Sequence, residues 1–359
     1  MGRIACHVLL SSLLSMCSYA QTRYQLFDAG AFGNHDAAPM GVNNQGQIVG
    51  DSDPTGPSFY WDFVRGMTEI KADGNPTRVS GINNNGQVVG STVNGIGKGF
   101  VWTTNKGVTF CEGTGLFWTN SAHGINAQGH VAGGYSNNVS SHAGLWTATN
   151  GWRDLGTTEY GDTSGTGIND YDQVTGFTMV GGGYRRPIIW SELSGMQVID
   201  VPVGYVSGVG RFINNSGQIG GNLVTDLSTS VGFVRDTDGT LRLMRPNSGS
   251  VISTVDGLNQ NGEAVGTFYG SSGLSTFVYT KERGFQDLQN LLDDSGAGYR
   301  LFGRAAVSDN GLIASMAQVT GYSHLHTVLL VPVVPEPMTG VTLATLLPFG
   351  FFLRRRRNR

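Results

Sequence analysis

A nucleophile beside a base, a cluster of metal ligands and a pair of carboxylates are the arrangements that would do chemistry in these 359 residues. Serines are plentiful, but Gly-x-Ser-x-Gly in the strand-to-helix setting of a nucleophile elbow is absent, and Gly56-Pro57-Ser58 and Gly249-Ser250 read as loop fragments. His324-Leu325-His326 would place two imidazoles on one face of a strand, which is metal-ligand spacing, yet no carboxylate or third histidine is near in sequence. Asp236-Thr237-Asp238-Gly239-Thr240 and Asp293-Asp294-Ser295-Gly296 invite a calcium reading but lack acidic ligands at further alternate positions, and Asp-Gly in a hairpin turn explains the first without a metal. Cys111 has no histidine or second cysteine close by to activate it and reads as a small strand residue. The sequon-like Asn214-Asn215-Ser216 and Asn138-Val139-Ser140 read as turn chemistry. For an acid-catalysed enzyme the candidates reduce to Glu159, Asp170, Asp172, Asp226 and Asp309, whose convergence only a fold can decide. The expectation is no catalytic residue, no cofactor and no metal.

The elements that would carry these groups repeat. Gly41-Val42-Asn43-Asn44-Gln45-Gly46-Gln47-Ile48-Val49-Gly50 returns as Gly81-Ile82-Asn83 to Gly90, Gly124-Ile125-Asn126 to Gly133 and Gly167-Ile168-Asn169 to Gly176. Later copies are Phe212-Ile213-Asn214 to Gly220, Gly257-Leu258-Asn259 to Gly266, and the worn Ala306-Val307-Ser308-Asp309-Asn310-Gly311. Taking the Asn, or Ser308, as marker, the spacings are 40, 43, 43, 45, 45 and 49 residues, the range of four-stranded propeller blades.

Each phrase predicts a hairpin. Gly46, Gly86, Gly129, Gly217, Gly262 and Gly311 would supply the positive φ of a tight primed turn, with Asp172 standing in the fourth copy. The glycine closing the second strand (Gly50, Gly90, Gly133, Gly176, Gly266) predicts a place where backbone comes close. A third strand ends in an aromatic (Trp61, Trp102, Trp146, Trp190, Tyr279) that reads as packing between blades, and a fourth follows a turn. The seventh copy has no fourth strand, while Tyr24 to Gly30 looks like one placed ahead of the first copy. One orphan matches one vacancy, which predicts an all-β, seven-bladed propeller whose last blade is closed by the N-terminal strand.

Composition agrees. Glycine is 55 of 359 residues, roughly double the usual ~7%, and charged residues are 14%, a balance suited to short strands and tight turns.

The two ends stand outside the repeats and read as addresses. Residues 1–20 carry one arginine, an apolar run over 8–16 and small residues before a cut after Ala20, the pattern of a secretory signal; bulky Met16 disfavours a lipoprotein site at Cys17. Residues 334–359 read Val334-Pro335-Glu336-Pro337, a mostly apolar run over 339–353, then Arg354-Arg355-Arg356-Arg357. As a helix that run spans only ~22 Å, short of the ~30 Å hydrocarbon core, which favours a transient membrane anchor with its arginines cytoplasmic. Without the terminal segments, which hold six of the 23 basic residues and one of the 26 acidic ones, the chain carries 17 basic and 25 acidic residues, a balance that argues against a nucleic-acid partner. Only Cys111 of the three cysteines lies outside the signal, so residues 21–333 have no internal disulfide.

The Pro-Glu-Pro tripeptide, apolar run and terminal arginine cluster together resemble the PEP-CTERM sorting signal of Gram-negative bacteria. That resemblance implies recognition and cleavage by an exosortase and delivery to the surface or exopolysaccharide matrix. The hairpin phrase, the Trp-ended third strand and the closing Asp-Leu resemble the HAF family of extracellular repeats over about 300 residues, best in copies one to four and six, a family that implies architecture and location but no activity.

The reading that follows is a non-catalytic surface or matrix protein whose ring binds exopolysaccharide or a surface protein. The alternative is an extracellular hydrolase or lyase of glycans. Because both addresses lie outside the repeat pattern, mass spectrometry of surface material should find a mature chain that begins near Gln21 and ends near Pro337. Recovery of the intact Arg354 to Arg359 tail from the cell exterior would contradict the sorting assignment.

Overall fold

The computed structural model describes residues 21–52, 56–93, 97–112, 119–136, 139–246, 252–270 and 273–333. Ala20, Val334 to Pro337, the apolar run 339–353 and Arg354 to Arg357 lie outside the described residues. Among those described, no helix is long and apolar enough to cross a membrane.

The seven copies form seven four-stranded antiparallel sheets, making a seven-bladed β-propeller. Six blades are consecutive in sequence, at 37–70, 77–110, 119–154, 163–198, 207–243 and 253–287. The seventh draws its strands from both ends of the described chain: Tyr299–Val307, Ile313–Val319 and His326–Val333 are completed by Arg23–Gly30, which pairs antiparallel with His326–Val333. Leu26 opposite Leu330 and Tyr24 opposite Pro332 set the register that buries Tyr24 and Leu26 among Leu288, Leu291, Leu301 and Val328. The orphan strand therefore fills the vacancy, and no blade is left a strand short.

Between blades the sheets pack through their third-strand aromatics. Phe59 and Trp61 of the first blade lie against Ala306, Ala314 and Leu329 of the seventh, and Tyr60 of the first packs with Val79, Val88 and Phe100 of the second. Trp61, Trp146 and Trp190 are buried, as the periodic aromatic implied. Where the fifth blade carries Arg235, its neighbours Phe233 and Val234 supply the buried surface instead.

The hairpin turn differs from the expected primed form. Gly46 N–H donates to Asn43 C=O (2.9 Å) and Asn43 N–H donates to Gln47 C=O (3.1 Å), a loop longer than a two-residue hairpin. Positive φ falls on Gly46 (74°) and not on Asn44 or Gln45, so this is a turn of ordinary hand followed by a left-handed glycine. The same pair of bonds recurs in the other six copies, with Asp172 (φ 58°) at the glycine's place in the fourth. The extra residues leave room for the marker asparagine to bond inside the loop.

The glycine of the second strand also has its reason. It lies opposite a break in register in the first strand, between Pro39 and Gly41 in the first blade and at the matching place in the second to sixth. A Cβ on Gly50 would sit 2.2 Å from Ala38 O, and one on Gly133 1.8 Å from Ser121 O. In the fifth blade Gly221 does this work, one residue past the Gly220 that closes the repeat phrase, with Val209 O at 2.1 Å. Each glycine therefore makes room for a β-bulge in the strand beside it.

Deleting residues 24–30 should lower stability by at least ~3–6 kcal/mol, the burial of Tyr24 and Leu26 alone, against well under ~1 kcal/mol for an exposed loop of equal length. Equal melting temperatures for the two deletions would contradict closure by this strand.

Candidate functional site

The first strands of all seven blades line one axial cavity of about 220 Å³. At its mouth, on the hairpin face, the marker asparagines form a belt. The Asn43 side-chain carbonyl accepts from the N–H groups of Gln45 and Gln47, while its amide donates to Gln47 Oε1 (2.7 Å) and to Asn83 C=O of the next blade (3.1 Å). Asn83 repeats this toward Asn126, Asn126 toward Asn169, Asn169 toward Asn214, Asn214 toward Asn259 and Asn259 toward Ser308. All six asparagines are buried. Ser308 cannot reach onward, and the last gap is closed by Asn310, whose amide donates to Asn44 C=O at 3.0 Å.

The residue after each marker forms a second tier. Asn84 Oδ1 accepts from Asn44 N–H, Asp170 Oδ1 from Ala127 N–H, Asn215 Oδ1 from Asp170 N–H and Asp309 Oδ1 from Gln260 N–H. Two of the five candidate acids, Asp170 and Asp309, thus reach the same cavity, but as parts of this tier. Asn215 also donates to Asp170 (2.8 Å) and Asn84 to Asp309 (3.2 Å). Asp172 is held by Asn126 (2.8 Å) and by His130 Nδ1 (2.9 Å). Glu159 and Asp226 are exposed on outer loops.

Deeper in the channel lie residues that repeat reasoning passed over. The bulged position three residues before each marker holds Met40, Ser80, His123, Thr166, Arg211 and Asp256 in the first six blades, all of which line the cavity. In the seventh the register breaks between Leu301 and Ala305, and Arg304 reaches Met40 Sδ (2.9 Å). The signal that could have found these positions is their variability: just ahead of the repeated phrase they change chemical class in nearly every copy.

Water reaches Arg211 in the channel, yet the ring surrounds it, and desolvation pulls its guanidinium below the usual range. Desolvation, with the nearby Arg211 charge, likewise lowers His123, which keeps it neutral at pH 7. Burial raises the Asp256 carboxyl above the usual range, opposed by hydrogen bonds from Thr267 and Thr254 and by the charges of Arg304 and Arg211. Asp51 is raised by burial too, beside Arg78 and Arg304.

The remaining sequence candidates do not gather. His326 is buried and bonded to Asp28 (2.9 Å), whereas His324 faces Asp36 at 3.5 Å, so the two imidazoles serve different carboxylates. Asp236 closes a turn with Thr240 and pairs with Arg242 and Gln218, and Asp293 caps a short 3₁₀ turn through Ser295 N–H. Cys111 is buried, and burial pushes its thiol far up, which suits an inert core residue. Among the described residues no three His, Cys, Asp or Glu side chains stand close enough to hold a metal ion.

The ring is shared with known structures. It is similar to a catalytically inactive virginiamycin B lyase from Staphylococcus aureus with quinupristin, at TM-score 0.56 and 13% identity, over 86% of this chain and 99% of that one. A streptogramin B lyase structure is similar at TM-score 0.55 and 13% identity, over 87% of this chain and 98% of that one. At such identity the likeness is one of fold. No protein-family model matches the sequence, and no curated protein matches it.

Because the fold favours protonated Asp256, its contribution to stability is greatest in acid and is lost as pH rises from the unfolded carboxylate range through the raised value. Asp256→Asn removes that loss. Urea unfolding at stepped pH should show the variant gaining on the parent chain as pH rises, by about 1.4 kcal/mol per pH step of one across that window. A difference that does not vary with pH would show that Asp256 titrates normally.

Proposed function

We propose that this chain is an exported, non-catalytic ring, carried to the Gram-negative cell surface or exopolysaccharide matrix by its signal peptide and an exosortase-read tail, where it binds polysaccharide or a neighbouring surface protein. The observation that carries the binding reading is a groove of about 650 Å³ beside the mouth, lined by Gln47, Asn85, Gln87, Thr103, Lys106 and Gln128. Amides and hydroxyls both donate and accept, which matches the paired donor and acceptor character of sugar hydroxyls. The commitment of Asp170, Asp172 and Asp309 to bonds within the ring supports the non-catalytic part. The PEP-CTERM-like tail and HAF-like repeats support the location.

The alternative, a hydrolase or lyase acting on glycans, draws on one observation: Asp256, His123 and Arg211 share an enclosed channel. The two lyases with the same ring add only the fold.

The full chain, titrated with neutral and acidic polysaccharides while products are assayed in the same samples, should bind without turnover. Gln87→Ala and Gln128→Ala should each weaken binding about fivefold, the value of one hydrogen bond worth ~1 kcal/mol. Turnover that disappears in Asp256→Asn would replace this reading with the enzyme.

A further inference from the structure

The bulges put two arginines and one aspartate on three successive blades: Arg211 in the fifth and Asp256 in the sixth line the cavity, and Arg304 in the seventh reaches Met40 of that lining, its charge acting on both. Among the described residues the Arg211 side chain makes no hydrogen bond and no ion pair, although the charges of Asp256, Arg304 and Arg185 all act on it. A guanidinium has five donors in a planar fork, and here they open onto the cavity. Arg304 donates to the Met40 thioether, a weak acceptor. Asp256 uses one lone pair of each oxygen, accepting from Thr254 at 3.1 Å and Thr267 at 2.8 Å, and keeps the others. Asp51 and Arg78, which act on one another beside Arg304, offset each other. With Asp256 ionised by the two neighbouring guanidiniums, the three groups carry one positive charge in excess.

We propose that the channel is a binding site for a small hydroxylated carboxylic acid, whose carboxylate lies between Arg211 and Arg304 and whose hydroxyl donates to Asp256. The forked guanidinium matches a carboxylate edge. A single negative charge balances the excess, whereas a phosphate dianion would exceed it and face the Asp256 carboxylate. Hydroxyls are required because Asp256 can take only donors when ionised. This site is separate from the groove beside the mouth, and the Thr166, Ser80 and His123 side chains around the axis offer it further polar partners.

Titration calorimetry of the full chain with glucuronate, acetate, glucose and inorganic phosphate tests the assignment. Glucuronate should saturate one site per chain, at least tenfold more tightly than acetate, and glucose should not bind there. Arg211→Met and Arg304→Met should each weaken glucuronate at least tenfold, and Asp256→Asn should narrow the gap between glucuronate and acetate. Arg211→Lys, which keeps the charge and loses the fork, should also weaken binding and serves if the methionine variant is unstable. Equal binding of glucose, tighter binding of phosphate, or unchanged affinity in both Arg211 variants would overturn the proposal. Neutral polysaccharide binding should persist in Arg211→Met, so the groove and the channel stand or fall separately.

Discussion

One buried side chain type holds the ring together. Each marker asparagine satisfies its own turn with its carbonyl oxygen and reaches the neighbouring blade with its amide, so local and tertiary structure meet in a single residue. A buried amide left without partners costs roughly 1–3 kcal/mol, which makes each link expensive to lose and fixes the distance between adjacent first strands. Where the amide partner departs from the pattern, another group takes its place. Asp172 serves Asn126 in the third blade, where His130 stands in the Gln position, and Asn310 serves where Ser308 is too short.

The belt explains why the rest of each phrase divides into constant and variable parts. Constant glycines opposite the bulge let the first strand kink, because a Cβ there would collide with the carbonyl across the ladder. In the first six blades the kink turns one side chain toward the axis, where no contact common to all copies fixes its type. Met40, Ser80, His123, Thr166, Arg211 and Asp256 therefore differ in a way that the core positions do not.

Ring closure by Arg23–Gly30 couples the two ends of the described chain. Its pairing with His326–Val333 is extended by His326 with Asp28 and by Ser295 with Leu26 N–H, so the strand is held by side chains as well as by the ladder. Closing the last blade from the other end of the chain makes the ring's integrity depend on contacts about 300 residues apart in sequence, and these are the contacts that chain entropy opposes most.

The sequence by itself determined the repeat period, the strand order within a blade, the vacancy in the seventh copy and the strand that fills it, because each depends on residues close together in sequence or on a simple count of elements. It also determined the inter-blade role of Trp61, Trp146 and Trp190, whose recurrence at one strand position allows little else. It misjudged the turn, since a glycine with positive φ is common to primed turns and to the longer loop, and only the Asn43 to Gln47 bonds distinguish them. What tertiary structure alone decided is which polar residues share a space. Asp170 and Asp309 lie 139 positions apart yet stand on one rim, whereas His324 and His326, two positions apart, serve different carboxylates. Arg211, Asp256 and Arg304 were spread over three copies, and only the breaks in first-strand register, two residues against one in the fifth and sixth blades and three against one in the seventh, bring their charges to bear on one another.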